Sequence, residues 1–167
     1  MRIYRTSLVV ALMGVAWLGT VASATAATKP APVGVIHIYE VSKGVGGPIS
    51  VVVTGVINDA GLDQAGKLVL SKGSFEVTSS TKLKKQLAAM ETTPLNATTC
   101  AATDSVTGSA ALSGGTGSYK SISGTVSATH TTARIGSLKS GKCDTSAASK
   151  PIGVVNFVQG AGLVQFK

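Results

Sequence analysis

The chain is poor in aromatic residues, histidine, arginine and acidic side chains, and each shortage removes a class of function. Its single tryptophan is Trp17, and downstream of residue 27 the aromatics are only Tyr39, Phe75, Tyr119, Phe157 and Phe166. So few stacking platforms argue against a carbohydrate or single-stranded nucleic-acid binder. Past Arg5 the sole arginine is Arg134, so the bidentate contacts that read bases and grip phosphates have almost no donors. No G-x-S-x-G elbow and no C-x-x-C pair is present, which removes the usual signatures of serine hydrolases and dithiol redox proteins.

The longest apolar run, Leu8 to Leu18, is short of the ~20 residues a spanning helix needs. Arg2 and Arg5 precede it, and Ala22-Ser23-Ala24 and Ala24-Thr25-Ala26 follow as small-x-small cleavage sites. This order predicts an export signal over residues 1–27, cleaved near Ala26 or Ala27, then a short linker over 28–32 and one domain over 33–167. The expected location is extracellular, or periplasmic where the host has an outer membrane, with no membrane anchor after cleavage.

Removing Arg2 and Arg5 leaves 13 basic against 7 acidic side chains, a net charge of +6. The lysines are dispersed, and only Lys82-x-Lys84-Lys85 clusters. That distribution describes a solvated basic surface, and no nucleic-acid partner is expected. Cys100 and Cys143 are the only cysteines; in an exported chain an even pair predicts a structural disulfide.

What is abundant is Gly, Ser, Thr, Ala and Val, arranged for strands. Val33 to Val41 and Ile49 to Ile57 are β-branched runs separated by a Gly/Pro loop, and Asn58-Asp59-Ala60-Gly61 reads as a turn. Lys67 to Leu70 and Ser74 to Thr78 read as one strand bulged at Gly73. Leu83, Leu87 and Met90 recur at helical spacing over 80–90, with Ser80 or Thr81 as cap and Pro94 beyond. Val106 to Leu112 and Ser121 to His130 alternate with period 2, and Ile152 to Val158 and Leu163 to Phe166 follow, joined across Gly160-Ala161-Gly162. Seven or eight strands with glycine-rich turns predict an all-β antiparallel barrel or sandwich with one short helix.

Gly114-Gly115-Thr116-Gly117 superficially suggests a phosphate loop. Lys120 stands at the wrong spacing, and the residues that follow alternate as a strand instead of starting a helix. The stretch is expected to be a tight hairpin turn with glycines at positive φ. In the form Gly114-Gly115-Thr116-Gly117-x-Tyr119-x-x-Ile122-x-Gly124-Thr125 it resembles the hairpin motif of the allene-oxide-cyclase and dirigent barrels. Thr54-Gly55-x-Ile57-Asn58-Asp59-x-Gly61, Lys72-Gly73-Ser74-Phe75-Glu76-Val77 and Thr99-Cys100 extend the likeness. Over about residues 33–166 the chain is similar to small secreted bacterial proteins of that type. The resemblance implies a calycin-like antiparallel barrel of about eight strands with a central cavity. Plant members guide or accelerate cyclisation and coupling of apolar intermediates, and some bacterial relatives are cyclases. No motif with a catalytic carboxylate or arginine aligns, so no catalytic residue is carried over.

His37 and His130 are the only histidines. If their strand faces line the barrel, His37, Tyr39 and His130 are the residues that would meet a ligand. A metal site lacks further ligands, and no cofactor is expected. Ser79-x-x-Lys82 is explained by helix capping, and Asn58-Asp59-x-Gly61-x-Asp63 has too few oxygens for a calcium loop. The leading expectation is a secreted barrel that binds an apolar small molecule or acts as a stable extracellular binding module. The alternatives are a cofactor-independent cyclase or isomerase, and a non-catalytic surface-interaction protein.

Overall fold

The structure, a computed structural model, describes residues 32–44, 46–146 and 149–167. The expected export segment, residues 1–27, lies outside the described residues, as does the linker up to residue 31. The strands are β1 (Val33–Lys43), β2 (Ile49–Gly55), β3 (Asp59–Gln64), β4 (Lys67–Leu70), β5 (Gly73–Ser79), β6 (Ala101–Ser113), β7 (Ile122–Ile135), β8 (Leu138–Lys139), β9 (Lys142–Cys143) and β10 (Gly153–Phe166). Helix α1 (Thr81–Met90) joins β5 to β6. Eight strands close into an antiparallel barrel in the order β1-β10-β7-β6-β5-β4-β3-β2, while β8 and β9 pair separately. Closure removes the free edges of an open sheet.

The barrel strands follow a period of 2, except on β5 where the adjacent Ser74 and Phe75 are both buried, and one parity forms the core. Ile36, Ile38, Val51, Val53, Leu68, Phe75, Leu112, Val126 and Val164 point inward and are nearly or fully buried. One end of the barrel is sealed. There Tyr119 meets Phe75 edge-to-face, ring centroids 5.6 Å apart, and donates its hydroxyl to Asp59. Asp59 also accepts from Ser71 Oγ at 2.5 Å and from the backbone N–H groups of Lys72 and Ala60. Its oxygens are therefore spent on protein donors. Burial alone would raise its pKa, but these hydrogen bonds outweigh it and hold Asp59 well below the usual carboxylate range.

Several expected elements differ. Asp59–Gln64 is strand β3, not a turn, because residues 59–63 pair with β2 and residues 61–64 with β4. Residues 67–79 form a hairpin of β4 and β5, turning at Ser71-Lys72, rather than one bulged strand. β10 runs without a break through Gly160-Ala161-Gly162, where the small residues let it lie close to β7: a Cβ on Gly162 would stand 2.1 Å from Thr125 O. The 114–117 stretch is part of a longer connection, residues 114–121, containing one 3₁₀ turn (Gly117–Tyr119). Gly114 and Gly117 do take positive φ, 65° and 57°. Thr116 N–H and Oγ1 bond Ser74, and Ser118 N–H bonds Lys72 O, so the loop folds back over the sealed end.

The helix forms as its spacing predicts. Ser80 Oγ accepts from Leu83 N–H, and Leu83 and Met90 are buried. Gly108 lets it approach β6, since a Cβ there would lie 2.8 Å from Leu83 Cβ. Cys100 and Cys143 form the expected disulfide, linking the start of β6 to β9. No helix among the described residues is long and apolar enough to cross a membrane.

Candidate functional site

The end of the barrel opposite Tyr119 is open. β6, β7, β10 and β1 are 11 to 14 residues long, whereas β3 and β4 have only 6 and 4. The long strands therefore overhang the short ones, and α1 lies against the overhang. Beneath it is a cavity of about 600 Å³, within the range of small-molecule sites. Leu87 and Met90 of the helix face it, along with Ile49, Val154 and Val158. A deeper chamber of about 80 Å³ adjoins it, floored by Ile38, Val126, Ala128 and Gly160. Glu40, Asp63, His130 and Val158 line both volumes and mark the waist between them.

Strand register builds this waist. Glu40 on β1 is paired with Val158 on β10, and Val158 with His130 on β7. Glu40 and His130 therefore share one inward-facing row, two strands apart. Asp63 enters from β3, opposite Ile49 of β2, which in turn faces Ser42. One row nearer the mouth, Asn156 donates to Ser42 Oγ at 3.1 Å and accepts from Thr132 Oγ1 at 2.8 Å. This polar belt fixes the entrance. Arg134 anchors the helix beside it: its guanidinium meets Asp104 at 3.1 Å and donates to the carbonyls of Met90, Glu91 and Thr93.

Burial sets the protonation of the waist. Desolvation, reinforced by the charge of Asp63, raises the Glu40 pKa to about 7. Asp63 is likewise raised by burial, opposed by the Gly66 N–H it accepts at 2.6 Å. Burial lowers the His130 pKa, favouring the neutral ring at neutral pH. The arrangement offers a desolvated carboxyl group, a second acid and a neutral imidazole around an apolar space. Among the described residues no three His, Cys, Asp or Glu side chains are grouped closely enough to hold a metal ion.

The three residues expected to meet a ligand are not brought together. His130 reaches the cavity, but His37 and Tyr39 alternate with Ile36, Ile38 and Glu40 and face the outside of the wall. The correction is one of parity: both faces of β1 are apolar enough to be a core, and closure chose the face carrying Glu40. Glu40 and Asp63 are the residues that the sequence reading passed over. The available signal was an acid at an alternate position of the β-branched series Ile36, Ile38, Glu40. Against known protein families, curated proteins and solved structures, the chain has no match.

Proposed function

We propose that this protein is a secreted binding barrel that holds a small, mainly apolar molecule in its open half. The observation carrying this reading is the cavity of about 600 Å³, apolar in its depth and polar at one waist. The space opens to solvent at its mouth and is walled by apolar side chains in its depth, which suits a small molecule entering from outside. The Cys100–Cys143 disulfide fits an oxidising, extracytoplasmic setting. The test is titration with the neutral fluorophore N-phenyl-1-naphthylamine, comparing the native chain with Val158→Trp, which fills the waist. Saturable enhancement that the substitution abolishes, with far-UV circular dichroism unchanged, supports the reading. Equal enhancement in both proteins refutes it.

A second reading, a cofactor-independent isomerase or cyclase, is favoured by one observation. A Glu40 carboxyl with pKa raised to about 7 stands across Val158 from a neutral His130. Such a pair can give and take a proton near neutral pH while the walls hold a reactive chain folded. The signature is a product of unchanged mass, formed from a component of host culture extract and lost in Glu40→Gln. Recovery of that component only in its original form rules the isomerase out.

A further inference from the structure

The side chains around the cavity bear directly on the charge of its occupant. Over the whole chain basic residues outnumber acidic ones 15 to 7. The cavity reverses the balance. Glu40, Asp63 and Glu91 line it, Arg134 is the one cation that does, and no lysine among the described residues joins it. Nor is Arg134 a counter-ion for Glu40: no bond joins the two, and its Nη atoms are bound to Asp104 and to the carbonyls of Met90, Glu91 and Thr93, at and just beyond the end of α1.

Glu40 is the sharper feature. It is 9% exposed, lines both chambers, and receives no hydrogen bond from any described residue; only burial and the Asp63 charge act on it. A buried carboxyl without donor or counter-ion is costly. The barrel does not need it for packing, since the same strand face carries Ile36 and Ile38 in the core. Asp63 has one oxygen engaged by Gly66 N–H, and His130 contributes no positive charge while neutral. The belt residues Ser42, Asn156 and Thr132 are occupied with one another.

We propose that the cavity selects a protonated amine on an apolar body, with the ammonium group at Glu40 and Asp63 and the hydrocarbon against Ile38, Val126, Ala128 and Val158. This rests on the binding reading and specifies its ligand class. An ammonium has three donors and no acceptor, which matches an unpaired carboxylate beside a half-used one. A carboxylate ligand would meet like charge in a desolvated space. A neutral ligand would leave Glu40 without its charge partner.

Isothermal titration calorimetry with three near-isosteric probes tests the assignment: cyclohexylmethylamine, cyclohexylmethanol and cyclohexanecarboxylate. At about pH 8 the amine is expected to bind about tenfold more tightly than the alcohol, the scale of one charged hydrogen bond, and the carboxylate weakest. Lowering the pH to about 5.5 protonates Glu40 and weakens the amine while leaving the alcohol unchanged. That comparison uses only the native chain and so does not depend on a variant folding. Glu40→Gln is expected to erase the preference for the amine over the alcohol. Equal affinity for amine and alcohol at about pH 8, a preference for the carboxylate, or an undiminished amine preference in Glu40→Gln overturns the charge assignment while the cavity reading stands. Failure of all three probes to bind up to their solubility limits overturns both.

Discussion

At the scale of single residues, Glu40 is where the fold gives up stability. Its carboxyl has an ordinary pKa of 4.5 and one of about 7 in the folded protein. Between those values the native state holds a proton that the unfolded chain releases. Stability therefore falls as pH rises through that window, and the full penalty stands above about pH 7. The shift corresponds to an upper bound on the order of 3 kcal/mol. Glu40→Gln should accordingly raise the unfolding free energy by up to about 3 kcal/mol at pH ~8 and hardly change it at pH ~4. Urea melts at the two values check this, and a pH-independent difference would contradict it. The glycines give a second contrast. A Cβ on Gly115 would lie 1.7 Å from Tyr119 O, which is backbone and cannot rotate away, whereas Gly141 has nothing within 4 Å. Gly115→Ala should cost about 3 kcal/mol. Gly141→Ala should cost only about 1 kcal/mol, for its positive φ. Thermal melts of the pair separate steric from conformational cost.

At the scale of elements, α1 is held over the cavity chiefly by its apolar contacts with β6 and by Arg134 at its C-terminal end. Those carbonyls carry the negative end of the helix dipole, so a guanidinium there satisfies them and complements the field. Arg134→Ala strips three carbonyls and leaves Asp104 without its ion-pair partner. The expected loss is about 3 kcal/mol, with amide exchange in Thr81–Met90 rising more than in β7. Uniform acceleration across the barrel would mean that Arg134 does not act through the helix. The disulfide acts on the opposite side of the same connection, joining positions 43 residues apart in sequence. Its reduction should lower stability by about 4 kcal/mol through the unfolded state, as read from denaturant midpoints with and without reductant. The helix was legible in sequence because Leu83, Leu87 and Met90 repeat at its period and Ser80 precedes them. The β4–β5 hairpin was not. Its two-residue turn, Ser71-Lys72, lacks the glycine pair that advertises most tight hairpins, and Gly73 drew the reading toward a bulge.

At the scale of the whole molecule, the barrel is one closed circuit of hydrogen bonds. Val33 pairs with Gln165, so the first and last strands must meet before the sheet has no edge. Such distant pairing predicts slow folding, roughly milliseconds to seconds, in one cooperative transition. Stopped-flow refolding, and coincidence of the near- and far-UV melts, check both. A separate early loss of the near-UV signal would show that the sealed end, where Tyr119 packs on Phe75, unfolds apart from the rest.

Local pattern was sufficient for the all-β class, the one helix and the disulfide, because each is written in short-range periodicity or in a pair of cysteines, whereas the strand boundaries at β3, β4–β5 and β10 were settled by pairing. The site was not written there. On β1 the outward series Val35, His37, Tyr39, Val41 and the inward series Ile36, Ile38, Glu40, Ser42 are nearly equal in apolar character, so alternation alone could not say which faces the core. That choice belongs to closure: once β1 is paired on both sides with β2 and β10, only one face can turn toward Leu68, Phe75 and Val126. The same step sets Glu40, Asp63 and His130, which come from strands up to 90 residues apart, around one buried space. Their altered proton affinities arise from that burial, a property that no strand possesses by itself.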